Sequence, residues 1–185
     1  MKMALTDGMR LWREINEDVY IAAYGSNLVE NRMETRCPSA VPVGTSVICG
    51  YRMLFKQSMT GAYATIEQDA NRTVPCIAFK ISEYDEALLD KYEGYPKYYY
   101  KRKFDLKILF NSGKKSKEPR RCVAYILHEE RNLGEPPKDY VGLLINAYRH
   151  WGYDERLIWT ALKDSIGEEA GLKYMKEFLK GGREG

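Results

Sequence analysis

Val19-Tyr20-Ile21-Ala22-Ala23-Tyr24-Gly25-Ser26-Asn27-Leu28 is the stretch on which the reading of this chain turns. Its first part is short, apolar and bounded by a glycine, which reads as a buried strand over residues 19–24. Gly25, Ser26 and Asn27 then break the strand, and a helical pattern follows over 28–36. A strand that stops at Gly-Ser-Asn and restarts as a helix leaves backbone N–H groups with no partner in either element. Those donors lie where the helix dipole is positive, so they suit a carboxylate or the developing negative charge of an oxyanion. Small residues fit the task because a bulky Cβ would block close approach. The same residues also suit a plain turn in which Ser26 or Asn27 caps the helix. Asn27 with Glu30 has the form of a capping box.

Outward from this stretch, Pro38 stops the helix. Residues 47–56 read as a strand with Gly50 at a bulge, and 61–67 and 73–81 as two more, Pro75 placing the start of the latter at a sheet edge. The period then changes. Ser82 is an N-cap for a helix over 82–92, with Glu83, Asp85 and Glu86 in its first turns and Leu88, Leu89 and Tyr92 as its apolar stripe. Gly94 and Pro96 end it. Residues 98–110 alternate as one long strand with Phe104, Leu106, Ile108 and Phe110 on one face, a lysine-rich turn follows, and 121–127 return. Helices are expected over 138–151, 154–165 and 168–179. Val141, Leu144, Ile145, Tyr148 and Trp151 give the first of these a core-facing stripe. Antiparallel-type strands followed by helices predict an α+β fold, with the strands rolled into a barrel-like sheet.

The composition narrows the function classes. The 185 residues suffice for one domain with a substantial core. Charge is balanced, with 29 basic and 26 acidic residues and a net charge of +3, which argues against nucleic acid or an anionic membrane as partner. No apolar stretch is long enough to span a bilayer and no signal-peptide core opens the chain, so a cytoplasmic protein is expected. Cys37, Cys49, Cys76 and Cys122 are scattered, and only His128 and His150 accompany them, so no metal site is expected. Fifteen tyrosines against five phenylalanines supply apolar bodies with polar tips, useful in a pocket or on a sheet surface. Residues 1–18 are polar and mixed and read as an N-terminal extension, which leaves a homodimer contact open.

The second informative segment is Leu89-Asp90-Lys91-Tyr92-Glu93-Gly94-Tyr95-Pro96. Glu93 closes a helix whose C-terminal end is already negative, where a lysine would be favoured. Burial and the helix end would both raise its pKa, which suits a carboxyl that must act first as a base and then as an acid. A surface glutamate at a helix end is the plainer alternative.

Tyr24-Gly25-Ser26-Asn27-Leu28 after a strand, Gly61-Ala62-Tyr63-Ala64-Thr65-Ile66 in a later one, and Tyr92-Glu93-Gly94-Tyr95-Pro96 followed by Tyr98-Tyr99-Tyr100 together resemble the gamma-glutamylcyclotransferase superfamily. Arg36-Cys37-Pro38-Ser39-Ala40 resembles its bacterial members. The likeness covers about residues 19–165, taken as the domain, with 166–185 a helical tail beyond it. The resemblance implies a small mixed β-barrel with flanking helices and no cofactor. It implies that Tyr24, Gly25, Ser26, Asn27 and Leu28 hold a γ-glutamyl group, the loop doing so through backbone amides. Glu93 would be the acid–base catalyst, and Tyr99 would line the site, with Tyr100 as the alternative. The implied reaction turns a small γ-glutamyl amide or amino acid into 5-oxoproline and a free amine. A non-catalytic γ-glutamyl-binding module of the same fold is the competing expectation.

Overall fold

The computed structural model describes residues 19–181; the N-terminal extension expected over 1–18 lies outside them. In chain order the elements are β1 (Val19–Ala23), a 3-10 turn (Ser26–Leu28), α1 (Glu30–Arg36), β2 (Val41–Gln57), β3 (Ala62–Ile81), α2 (Glu83–Glu93), β4 (Tyr99–Leu106), β5 (Leu109–Phe110), β6 (Arg120–Leu127), α3 (Lys138–His150), α4 (Arg156–Ile166) and α5 (Glu168–Gly181). The strands form one six-stranded mixed sheet in the order β4-β6-β1-β3-β2-β5.

β1 is central, antiparallel to β3 and parallel to β6. Its buried residues run consecutively through Ile21, Ala22 and Ala23 instead of alternating, as expected of a strand covered on both faces. β2 and β3 make a long hairpin, paired from Gln57↔Ala62 at the tip to Val41↔Lys80 at the base. The register slips between Cys49 and Tyr51, and the residue between them, Gly50, has φ +76, so the expected bulge is present.

Two strand boundaries differ from the sequence reading. Residues 61–67 and 73–81 belong to one strand, and Pro75 sits within it opposite Val47. β1 pairs with β3 only as far as Ile77, so Pro75 lies beyond the stretch flanked by both neighbours. That is how a proline is tolerated without a strand start. Residues 98–110 are likewise not one strand. The chain leaves β4 after Leu106, and two residues later β5 pairs with Gly44 and Thr45 of β2, at the opposite edge of the sheet. A link that short between two edges requires the sheet to curl round. At the seam the rings of Tyr51 on β2 and Phe104 on β4 meet edge-on at 5.2 Å. Gly44 permits the close approach of β5, since a Cβ there would lie 2.2 Å from the Leu109 carbonyl oxygen. β2 and β4 do not pair, so the expected barrel is an unclosed, barrel-like sheet.

The helices cover this sheet. α3 places Val141, Leu144, Ile145 and Tyr148 in the core at the i, i+3, i+4, i+7 spacing of an amphipathic helix. Ser165 of α4 accepts the Phe55 N–H at 2.8 Å, tying the helix to β2. In α5, Phe178 packs edge-on against Trp159, and the Tyr174 hydroxyl donates to the Pro136 carbonyl at 3.0 Å. The helical tail therefore packs on the rest of the described chain. Among the described residues no helix is long and apolar enough to cross a membrane.

Candidate active site

The loop after β1 is held from beneath. Leu28 is fully buried, as is Met33 of α1, each contributing roughly 1.5–3 kcal/mol by leaving water. The Leu28 carbonyl accepts the Trp151 indole N–H at 2.9 Å. Within the turn, Leu28 N–H donates to Gly25 O and Val29 N–H to Ser26 O. The Ser26 and Asn27 N–H groups find no acceptor among the described residues, as expected where a strand gives way to a helical turn. Asn27 does not close a capping box: α1 begins at Glu30 with Val29 as its N-cap, and no side chain bonds the cap. The reason is competition, since both ends of the Asn27 amide are engaged elsewhere.

α2 starts and stops as its sequence directs. Ser82 accepts the Asp85 N–H at 3.1 Å, and Gly94 closes the helix in the left-handed conformation at φ +66. Asp85 is 1% exposed and accepts the Ser39 N–H at 3.0 Å, which locks the start of α2 to the segment after α1. The far end of α2 then delivers Glu93 to the turn, where Asn27 Nδ2 donates to Glu93 Oε1 at 2.9 Å. Burial raises the Glu93 pKa; the Asn27 hydrogen bond and the Arg36 charge oppose this, and the net shift is upward.

Turn and acid share a cavity of about 450 Å³, a size suited to a small ligand. Tyr24, Gly25, Ser26, Asn27, Glu93 and Tyr99 all line it, so six of the sequence-expected site residues meet there. Leu28 does not; it anchors the turn from the core side. Tyr99 and Tyr100 point to opposite faces of β4, as neighbours on a strand must, and Tyr100 bonds Glu129 away from the cavity. Tyr24 and Tyr99 are both pushed well above the usual phenol range, chiefly by burial, so they stay neutral donors.

Three side chains at the site escaped the sequence reading. Tyr63 and Tyr140 line the cavity, their rings edge-on at 5.0 Å, and the Tyr140 hydroxyl accepts the Ala64 N–H at 3.2 Å. Arg36 joins the turn to α2 beside the cavity. Tyr63 lies in the Gly61-Ala62-Tyr63-Ala64-Thr65-Ile66 motif and Arg36 in the Arg36-Cys37-Pro38-Ser39-Ala40 stretch, the only local signals either gives. Among the described residues no group of three or more His, Cys, Asp or Glu side chains is placed to hold a metal ion.

The curled α+β sheet thus carries a cavity of small-ligand size onto which its first loop and a helix-ending carboxyl both open. Residues 21–142 match the family described as gamma-glutamyl cyclotransferase, AIG2-like, and the chain belongs to that family. The fold agrees with solved structures. A gamma-glutamyl cyclotransferase superposes with a TM-score of 0.67 at 22% identity, over 87% of this chain and 99% of that one. An uncharacterised human protein gives a TM-score of 0.66 at 22% identity, over 78% and 86% of the two chains. A yeast gamma-glutamyl cyclotransferase specific to glutathione gives 0.55 at 13% identity, over 80% and 95%. No curated protein matches the chain.

Proposed function

We propose that this protein is a gamma-glutamyl cyclotransferase that releases 5-oxoproline and a free amine from a small γ-glutamyl amide or amino acid. The observation that carries the reading is the meeting of Glu93 and the Gly25-Ser26-Asn27 turn over one cavity. Glu93 takes a proton from the substrate α-ammonium, and its raised pKa fits it to do so near neutral pH. The freed amine attacks the γ-carbonyl carbon and closes a five-membered ring. The attack is intramolecular, so the cavity need only hold a folded near-attack conformer. Negative charge moves onto the γ-carbonyl oxygen, where a well-placed N–H donor from the turn is worth ~3 kcal/mol. The C–N bond to the leaving group then breaks as Glu93 returns the proton to the departing amine, and the ring nitrogen gives up its second proton to the released amine, leaving the neutral lactam and an ammonium.

The test is 5-oxoproline release from a panel of γ-glutamyl amino acids, γ-glutamyl-ε-lysine and simple γ-glutamyl amines, with wild type and Glu93→Gln. Glutamine keeps an oxygen to accept from Asn27, so the variant should fold and bind. Its turnover should fall by roughly 10²–10⁴, the usual contribution of a general base. Near-wild-type turnover would remove Glu93 from the role. Tight binding of a γ-glutamyl compound by wild type with no turnover would make the protein a binding module instead.

A further inference from the structure

Arg36 closes α1, and both terminal nitrogens of its guanidinium donate to polar groups around Glu93. Nη1 donates to Ser26 Oγ at 3.1 Å and to Asn27 Oδ1, and Nη2 donates to the Tyr92 hydroxyl at 2.6 Å. The guanidinium carbon lies 3.9 Å from the centre of the Tyr92 ring. Arginine has donors and no acceptor, so the amide atom facing it must be the Asn27 oxygen. The Asn27 NH₂ group is thereby turned the other way, where Glu93 Oε1 accepts it at 2.9 Å.

We propose that Arg36 is a positioning residue for the reaction assigned above: it fixes the Asn27 amide so that one Glu93 oxygen is committed to Asn27 and the other is left for substrate. The proposal rests on that reading of Glu93. With Arg36 absent, the Asn27 amide is free to turn over and set its own oxygen against the carboxylate. Lysine cannot replace the planar fork, which reaches three acceptors and stacks on a ring at once. The Arg36 charge also acts on Glu93, opposing the upward push of burial. The other titratable groups that bear on this corner are the hydroxyls of Tyr24, Tyr99, Tyr125 and Tyr140 and the Cys37 thiol, from the end of β1, β4, β6, α3 and the segment after α1. Burial holds all five neutral at ordinary pH; of the cations at this corner, Arg36 is the one whose charge bears on Glu93, while Arg32 and Lys91 are exposed residues of the cavity lining.

Arg36→Met and Arg36→Lys separate geometry from charge. In both, kcat should fall about 10- to 100-fold with KM little changed, the cost of a misplaced reacting group. The Glu93 carboxyl, followed by ¹³C NMR in the protein without substrate, should titrate at higher pH in Arg36→Met and near its wild-type position in Arg36→Lys. In an Asn27→Ala background, Arg36→Lys should cause no further loss of kcat, because the residue it positions is gone. A kcat within twofold of wild type for both variants would overturn the proposal. So would losses that multiply in the double variant, or a Glu93 titration that Arg36→Met leaves unmoved. If wild type releases no 5-oxoproline at all, the cyclotransferase reading falls, and the Glu93 titration still decides whether Arg36 governs that carboxyl.

Discussion

Gly94→Ala should damage both stability and turnover, and by more than an ordinary glycine replacement. Gly94 follows Glu93 at φ +66, where an L-residue pays ~1–2 kcal/mol. A Cβ there would stand 2.6 Å from Tyr98 Cδ2, so the ring must leave its place. That side chain is also held by its own backbone, since Tyr98 N–H donates to the Gly94 carbonyl at 2.9 Å. Forcing it off its rotamer adds roughly 0.5–1.5 kcal/mol. The sum is about 1.5–3.5 kcal/mol, which for a chain of this length lowers Tm by roughly 3–14 °C. Because the strain falls on the residue after Glu93, the carboxyl should shift against Asn27 and kcat should drop at least about tenfold. Gly113→Ala is the control. Gly113 has φ +78 and nothing within 4 Å, so it carries the conformational cost without the collision and lies outside the cavity lining. Calorimetry and 5-oxoproline release on both variants make the comparison. Equal losses of Tm with full turnover in Gly94→Ala would refute the argument that this turn sets the position of Glu93.

Other consequences can be checked without a substrate. Burial lifts the Glu93 pKa, so the folded protein holds that proton more tightly than the unfolded chain, and the group's contribution to stability is lost as pH rises through its folded value. Glu93→Gln removes this dependence, so its stability relative to wild type should increase as pH rises above about 4 in urea titrations; a flat or falling difference would contradict the raised pKa. Asp85→Ala strips the Ser39 N–H of its partner and should cost ~1.5–3 kcal/mol, read as a lower Tm. Cys49 is exposed while Cys37, Cys76 and Cys122 are buried, and burial pushes Cys37 and Cys122 up to about 12. A thiol reagent should therefore titrate one cysteine promptly in the native protein and four after unfolding.

What could be read from the sequence was local. The Ser82 cap, the Gly94 stop and the Gly50 bulge each depend on a few neighbouring residues, and each is present. The continuity of β3 was hidden because Ala70, Asn71, Arg72 and Thr73 are exposed and polar or small, a composition that resembles a loop. Residues 69–72 face only Gly50 across the register shift, and β2 pairing resumes at Thr73↔Cys49, so the strand runs on through them. The break between β4 and β5 is set by pairing with Gly44, some sixty residues earlier in the chain, so the alternation from Phe104 to Phe110 gave no warning. The site divides in the same way. The turn and Glu93 were visible because each breaks a local rule. Arg36 breaks no local rule, and its partner on α2, Tyr92, lies 56 residues away. Tyr140 stands in the first turn of a helix, beside its apolar stripe, and its contact with Ala64 lies 76 residues away in the chain.

The central claim is that Glu93 and the turn after β1 act on one molecule from two sides. A crystal structure with 5-oxoproline bound tests it most directly. The ring nitrogen should lie about 2.6–3.2 Å from a Glu93 carboxyl oxygen, with the ring carbonyl turned toward the Ser26 and Asn27 amides. Product seated elsewhere, or in the cavity with Glu93 turned away from the ring, would contradict it.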